Sequence, residues 1–252
     1  MLLILTTGEN MEVDRYHFDT IGSTNSWAKE HASELDKNKM SVITASTQTG
    51  GYGRFKRKWV SPPGVNIYAT FFFRIDAEHP DLINVPQVLS FSVMSLLEES
   101  GVDVKIKWPN DILIEGKKVS GFLCETSRYP SYTEVILGVG ININMERDAL
   151  DAIDKPATSL KVVTGKSWDV KEIISSLEER FCENLELFLE QGLSPFYLYL
   201  KDNLAFVEEP IRIEDSVAVW NGTLKDLNPD GSIAILLDDG TIKDLYSGEI
   251  SC

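Results

Sequence analysis

From residue 103 to residue 143 the chain runs through four β patterns, 103–108, 111–114, 117–125 and 133–143, joined by connections too short to carry a helix. Parallel neighbours need a crossover of a dozen or more residues, whereas antiparallel neighbours need only a turn. These segments are therefore expected to pair as antiparallel hairpins. Upstream, Val65, Ile67, Ala69, Phe71, Phe73 and Ile75 alternate with a second set and read as one long strand. Residues 41–47 form a shorter β-rich run.

Helical patterns surround these strands. Residues 23–35 read as a helix, with Ser23 or Thr24 supplying the N-cap oxygen and Trp27, Ala28, His31, Ala32 and Leu35 recurring at helical spacing. His31 on that stripe reads as packed rather than catalytic. Pro86 suits the first turn of a helix that ends at Gly101. Asp169 caps a long amphipathic helix that Gly192 ends, and Pro195 opens another. From about residue 210 the character changes to short strands, 217–224, 232–237 and 241–247, separated by Asn228-Pro229-Asp230-Gly231 and Asp238-Asp239-Gly240. The expectation is an α+β domain over residues 1–208 and a small all-β barrel or sandwich over 209–252.

A length of 252 residues suffices for one large core and a small second unit. The net charge of −15 speaks against general nucleic-acid binding, which needs a basic footprint. Three cysteines without a CxxC pair (Cys124, Cys182 and Cys252) suggest no disulfide framework and fit a reducing compartment. Cys124, in an apolar run, reads as core. MLLIL is too short for a signal-peptide core and no basic residue precedes it, so a cytoplasmic location is expected. No stretch is long and apolar enough to cross a bilayer.

Four segments could carry chemistry. Gln48 to Trp59 joins glycines 50, 51 and 53 to Arg54, Lys56, Arg57 and Lys58. Glycines allow close backbone approach, and successive exposed N–H groups make an anion-binding concavity. The segment suits a polyphosphate or acyl phosphate, although composition alone leans to a solvated basic loop. In Lys105-Ile106-Lys107-Trp108-Pro109-Asn110-Asp111, alternation puts Lys105 and Lys107 on one face. Lys107 and Asp111 either share a ligand or merely decorate a strand and turn. Gly116 to Gly121 offers Lys118 to an anion, or else a surface lysine pair after a turn. Gly138-Val139-Gly140-Ile141-Asn142 lacks the third glycine and the following helix of a dinucleotide fingerprint. Its glycines point instead to close approach of something to a strand backbone.

The order of these motifs is more specific than any one of them. Ser23-Thr24-Asn25, Gln48-Thr49 with the glycine/arginine loop and Trp59, Lys107-Trp108-Pro109-Asn110-Asp111, Lys118 to Gly121, Gly140-Ile141-Asn142, Ala157-Thr158-Ser159-Leu160 and Ser247-Gly248-Glu249 follow one another along the chain. In this the sequence resembles the bacterial biotin protein ligases, from about residue 16 onward. The resemblance implies a mixed, largely antiparallel sheet flanked by helices, of the class II synthetase and biotin ligase kind, followed by an SH3-like barrel. It also implies a reaction: biotin and ATP with magnesium give biotinyl-5′-AMP, which a lysine of a biotin carboxyl carrier protein, usually that of acetyl-CoA carboxylase, then attacks.

Residue roles follow from the same resemblance. Ser23, Thr24 and Gln48 would bond the ureido end of biotin, with Asn25, Tyr52, Gly53, Trp59 and Gly121 completing that pocket. Lys118, Arg54 and Arg57 would be catalytic, the lysine near the biotin carboxylate and α-phosphate and the arginines closing over the adenylate. Lys107, Asn110, Asp111 and Asn142 would serve ATP, with Asp111 near the magnesium. The family pattern Gly-Arg-Gly-Arg-x-Gly-Arg is broken at two positions, where Tyr52 replaces the first arginine and Lys56 the later glycine. A stiffer loop that holds the adenylate differently is expected. Only about 15 residues precede the first catalytic strand, too few for the winged helix of the repressor-type relatives, so DNA binding is not expected. The family contains both monomers and homodimers. The rival readings are a lipoate ligase or octanoyl transferase of the same superfamily, and a non-catalytic biotin binder.

Overall fold

The computed structural model describes residues 11–215 and 217–251; the segment before Met11, Ser216 and Cys252 lie outside it. The larger sheet contains β1 (Val13–Ile21), β2 (Met40–Gln48), β3 (Ile67–Asp76), β4 (Lys105–Lys107), β5 (Asp111–Ile114), β6 (Lys117–Arg128) and β7 (Tyr132–Ile141), in the order β1-β2-β3-β7-β6-β5-β4. Every pair except one is antiparallel, and between β4 and β7 the short connections require it. The exception is β1 with β2, which run parallel. The chain between them carries helix α1 (Thr24–His31), which gives the room that a crossover between parallel neighbours needs.

Alternation along β3 decides what each face of the sheet meets. Phe71, Phe73 and Ile75 enter the main core, against α2 (Val85–Glu98) and α5 (Val170–Gln191). The Phe181 ring lies 4.7 Å from Phe71 and 6.2 Å from Phe73. The intervening Thr70, Phe72 and Arg74 face α1, where Phe72, Ala28, Leu35, Ile43 and Ile136 form a second, small cluster. The buried Arg74 guanidinium bonds Glu134 on β7 at 2.8 Å and the Ala32 carbonyl beyond α1 at 2.7 Å. It thereby fixes the C-terminal end of that helix.

Asp169 accepts from the Lys171 and Glu172 N–H groups to cap α5, and Gly192 ends it at φ 63°, both as expected from the sequence. Two sequence readings need correction. The helix expected over 23–35 ends at His31, because residues 32–34 turn. His31 stacks on Trp27 with ring centroids 4.3 Å apart, which is the packed role expected of it. The strand expected over 103–108 shrinks to β4, since Trp108 and Pro109, joined by a cis peptide, enter the turn.

Three more helices, α3 (Arg147–Asp151), α4 (Leu160–Thr164) and α6 (Ser194–Asp202), connect to a separate antiparallel sheet. Its strands are β8 (Pro210–Glu214), β9 (Val219–Leu227), β10 (Ile233–Leu237), β11 (Ile242–Leu245) and β12 (Glu249–Ser251), in the order β11-β10-β9-β8-β12. β8 and β12 extend the three strands read from the sequence. This sheet is anchored to the larger unit by Trp108, whose buried indole N–H donates to the Gly231 carbonyl at 3.1 Å. Among the described residues no helix is long and apolar enough to cross a membrane.

Candidate active site

One cleft of about 570 Å³ opens along β6 and β7, between the N-terminus of α1, the 48–60 loop and the second sheet. Its polar end is built where α1 begins. Ser23 caps the helix by accepting from the Ser26 N–H. Thr24 donates its backbone N–H to Gln48 Oε1 at 2.9 Å, and its hydroxyl lies 2.8 Å from that of Thr70 on β3. Asn25 accepts from Thr70 at 2.6 Å and donates to the Leu123 carbonyl at 3.3 Å. These groups are buried and fixed by one another, so the cleft offers a rigid polar wall.

The floor is glycine backbone. A side chain at Gly138 would start 2.2 Å from Asn25 Oδ1, and one at Gly140 would start 2.3 Å from the Trp59 ring. The glycine run in β7 therefore exists to let Asn25 and Trp59 lie flat on the strand, the close approach expected of it. The buried Trp59 indole N–H has no acceptor among the described residues.

The 51–59 loop folds back on itself as a narrow hairpin. Tyr52 and Lys58 form an antiparallel bridge, and the Trp59 N–H donates to the Gly51 carbonyl at 2.9 Å. At its tip Phe55 and Lys56 adopt φ 56° and 57°. Left-handed backbone costs a non-glycine residue roughly 1–2 kcal/mol, which explains why a glycine suits the position that Lys56 occupies here. Arg54 reaches across the cleft to the Gly248 carbonyl at 2.7 Å and Asn110 Oδ1 at 3.3 Å. Burial draws its guanidinium below the usual value, but it stays charged at neutral pH. Arg57 pairs with Glu249 of β12, which Lys155 also meets at 3.0 Å. Burial alone would raise the Glu249 carboxyl, but the hydrogen bonds from Arg57 and Lys155 hold it at about 2.

Lys118 lies where the two halves of the cleft meet. Its ammonium is 2.6 Å from Asp111 Oδ1 and 5.2 Å from the centre of the Trp59 ring. Its backbone is pinned by a parallel bridge to the 156–158 segment. A side chain at Gly121 would start 2.6 Å from Lys118 Nζ, so that glycine holds the lysine's space open. Lys107 and Asn110 line the same end, while Lys105 turns away to Asn203. Asn142 lines the cleft too, but its amide is engaged, donating to the Thr158 carbonyl at 3.0 Å and accepting from Asn66 at 3.4 Å.

Every residue picked from the sequence thus borders a single cleft: Ser23, Thr24, Asn25 and Gln48 at one end, Tyr52, Gly53, Arg54, Arg57 and Trp59 from the loop, and Lys107, Asn110, Asp111, Lys118, Gly121 and Asn142 from the strands. Four participants were not picked. Glu249 stood in a noted run but had no assigned role, and Thr70, Glu125 and Lys155 give no local signal at all. Cys124 is not among the groups that line this cleft, and burial pushes its thiol up to about 12, away from nucleophilic use. Among the described residues no three His, Cys, Asp or Glu side chains are grouped as a metal cage.

Comparison with known proteins agrees with this geometry. A model of the biotin/lipoate A/B protein ligase family matches residues 17–142. The chain is 30% identical over 233 residues to the bifunctional ligase/repressor BirA of Salmonella typhimurium, spanning 92% of this chain and 72% of that protein. It is 28% identical over 200 residues to the biotin–[acetyl-CoA-carboxylase] ligase of Paracoccus denitrificans, 77% of this chain and 82% of that one. The biotin protein ligase of Aquifex aeolicus in complex with biotin and ATP superposes with a TM-score of 0.81 at 32% identity, covering 95% of this chain and 97% of that chain. The chain belongs to the biotin/lipoate A/B protein ligase family.

Proposed function

We propose that this chain is a biotin protein ligase: it joins biotin to ATP as biotinyl-5′-AMP, releasing pyrophosphate, and passes the biotinyl group to a lysine of a carboxyl carrier protein. The observation that carries the reading is the position of Lys118. Its ammonium sits between the rigid polar pocket with its aromatic wall and the Asn110–Arg54 end suited to a nucleotide.

Both reactants are anions, so their approach needs cationic donors fixed beforehand. Lys118 stabilises the charge as the biotin carboxylate attacks the α-phosphorus and pyrophosphate leaves. Arg54 and Arg57 flank the adenylate from the loop. Ser23, Thr24, Asn25 and Gln48 orient the ureido end, so that carboxylate and phosphorus meet in line. Tyr52, Gly53, Trp59 and Gly121 shape the biotin pocket. Lys107 and Asn110 serve the nucleotide, and Asn142 acts by fixing the 156–158 segment beside it. No protein nucleophile is required, because the substrate carboxylate attacks. In the second step the carrier lysine amine adds to the acyl carbon and AMP departs. The loop hairpin keeps water from the anhydride meanwhile.

Magnesium enters as the ion of the ATP substrate. It is usually held by one or two carboxylates together with substrate phosphates, and a lone carboxylate such as Asp111 fits that role better than a resident metal site. In this reading the described residues up to 208 make the catalytic unit, and those from 209 on, through Gly248 and Glu249, brace the loop arginines. Mass spectrometry of an apo carrier domain incubated with the protein, biotin and MgATP tests the reading. A biotinyl adduct on one lysine is expected; lipoyl transfer in place of biotinyl transfer would assign the chain to the lipoate branch of the superfamily.

A further inference from the structure

The two positions at which the loop departs from the family pattern touch each other. Lys56 Nζ lies 3.9 Å over the centre of the Tyr52 ring. The Tyr52 hydroxyl in turn donates to Glu125 Oε2 on β6 at 3.1 Å and lies 3.4 Å from Ser26 Oγ on α1. Glu125 also accepts from Asn25 at 3.3 Å and from Lys29 at 3.3 Å. A lysine at 56 burdens the loop tip with left-handed backbone that glycine would adopt freely. Its ammonium over the Tyr52 face offsets that burden, since a cation within about 6 Å of a ring centroid is attracted by the ring quadrupole.

We propose that Tyr52 and Lys56 act together as a latch that closes the 51–59 loop onto Glu125 before any ligand arrives. The ring of Tyr52 is the joint: its face holds the strained loop tip through Lys56, and its hydroxyl ties the loop base to β6. Because Glu125 also grips Asn25, the same carboxylate links loop closure to the polar wall of the cleft. Tyr52, Lys56 and Glu125 are positioning residues. They act on the bound intermediate by setting how often the loop opens, a role that rests on the adenylating function proposed above.

Amide hydrogen exchange on the free full-length protein tests the latch without reference to any ligand. Tyr52→Phe keeps the ring and removes the hydroxyl, Glu125→Gln removes the charged acceptor, and Lys56→Leu keeps the backbone burden while removing the cation. A hydrogen bond to a charged partner is worth roughly tenfold in an opening equilibrium. Tyr52→Phe and Glu125→Gln are each expected to speed exchange of residues 51–59 about tenfold, and Lys56→Leu roughly two- to fivefold, with β3 and β7 unaffected. The Tyr52→Phe/Glu125→Gln pair should be no faster than either single variant. Wild-type loop exchange in the single variants would overturn the proposal, as would effects that multiply in the pair. An equal rise throughout β3 and β7 would overturn it too, showing a role in overall stability only. The second arm is release of biotinyl-5′-AMP formed from biotin and MgATP, expected to be faster in the same variants. If no adenylate forms in wild type, the biotin reading fails while the exchange result still decides the latch.

Discussion

Lys118 and Asp111 are held 2.6 Å apart, Nζ to Oδ1, across the hairpin of β5 and β6. Both side chains are partly exposed, so the pair contributes less than about 1 kcal/mol to folding. Its weight falls on the reaction. Lys118→Ala is expected to slow adenylate formation by two to three orders of magnitude, about 2.7–4 kcal/mol for one removed charge-stabilising donor, with a nearly unchanged melting temperature. Single-turnover kinetics beside a thermal scan check this. Near wild-type adenylation in the variant would refute the assignment.

Gly121→Ala probes the same pair from the backbone. The added methyl would start 2.6 Å from Lys118 Nζ and 3.3 Å from Asp111 Oδ1. The lysine tip is free to swing aside, so folding should survive while adenylation falls at least tenfold. Unaltered turnover would mean that Lys118 works from some other position.

Gly140→Ala meets a different neighbour. Its methyl would start 2.3 Å from the Trp59 ring, a flat body wedged against the strand rather than a flexible tip. Overpacking of this kind costs typically 1–3 kcal/mol. Loss of biotin affinity by calorimetry, together with a lower melting temperature, is expected. Normal values of both would show that Trp59 does not lie on this strand.

Glu249 gives the account a pH dependence. Its carboxyl is held at about 2 against an ordinary 4.5, so the folded state binds a proton less readily than the unfolded chain. The stabilisation from its contacts with Arg57 and Lys155 is fully present above pH 4.5 and drains away as pH falls from there toward 2. The stability gap between wild type and Glu249→Gln, measured by urea unfolding, should be level at neutral pH and narrow across that acid window. A gap independent of pH would show that the carboxylate is not held in this way.

Arg74 and Glu134 form the buried ion pair beneath α1. Removing one partner of such a pair typically costs 3–5 kcal/mol, whereas replacing both by apolar groups is often neutral. Arg74→Met alone should therefore destabilise strongly, and Arg74→Met/Glu134→Leu should recover much of the loss in denaturant melts. Equal stability of the two variants would remove the pair from the account.

Local pattern revealed the elements whose signals are local. Asp169 and Gly192 bracket α5 because capping and left-handed exit are decided by single residues. The order of the motif residues pointed to one cleft, and the fold does bring Thr24 of α1, Arg54 of the loop and Lys118 of β6 to it. What escaped was long-range. β12 is only three residues long and pairs with β8, some thirty-five positions earlier, so no local signal marks that pairing. Glu249 reaches Arg57 only through that pairing. Glu125 meets Tyr52 across 73 positions of sequence, and neither residue's neighbours hint at the other. The helix expected through Leu35 stops at His31, although Ala32 and Leu35 continue the apolar spacing; there the carbonyls of Ala32 and Leu35 turn to Arg74.

The central claim is that biotin and ATP react within one cleft around Lys118. Exchange of labelled pyrophosphate into ATP measures that reaction without any carrier protein. Exchange that requires biotin, is not supported by lipoate and disappears in Lys118→Ala is the expected result. Exchange driven by lipoate instead, or none with either acid, would contradict it.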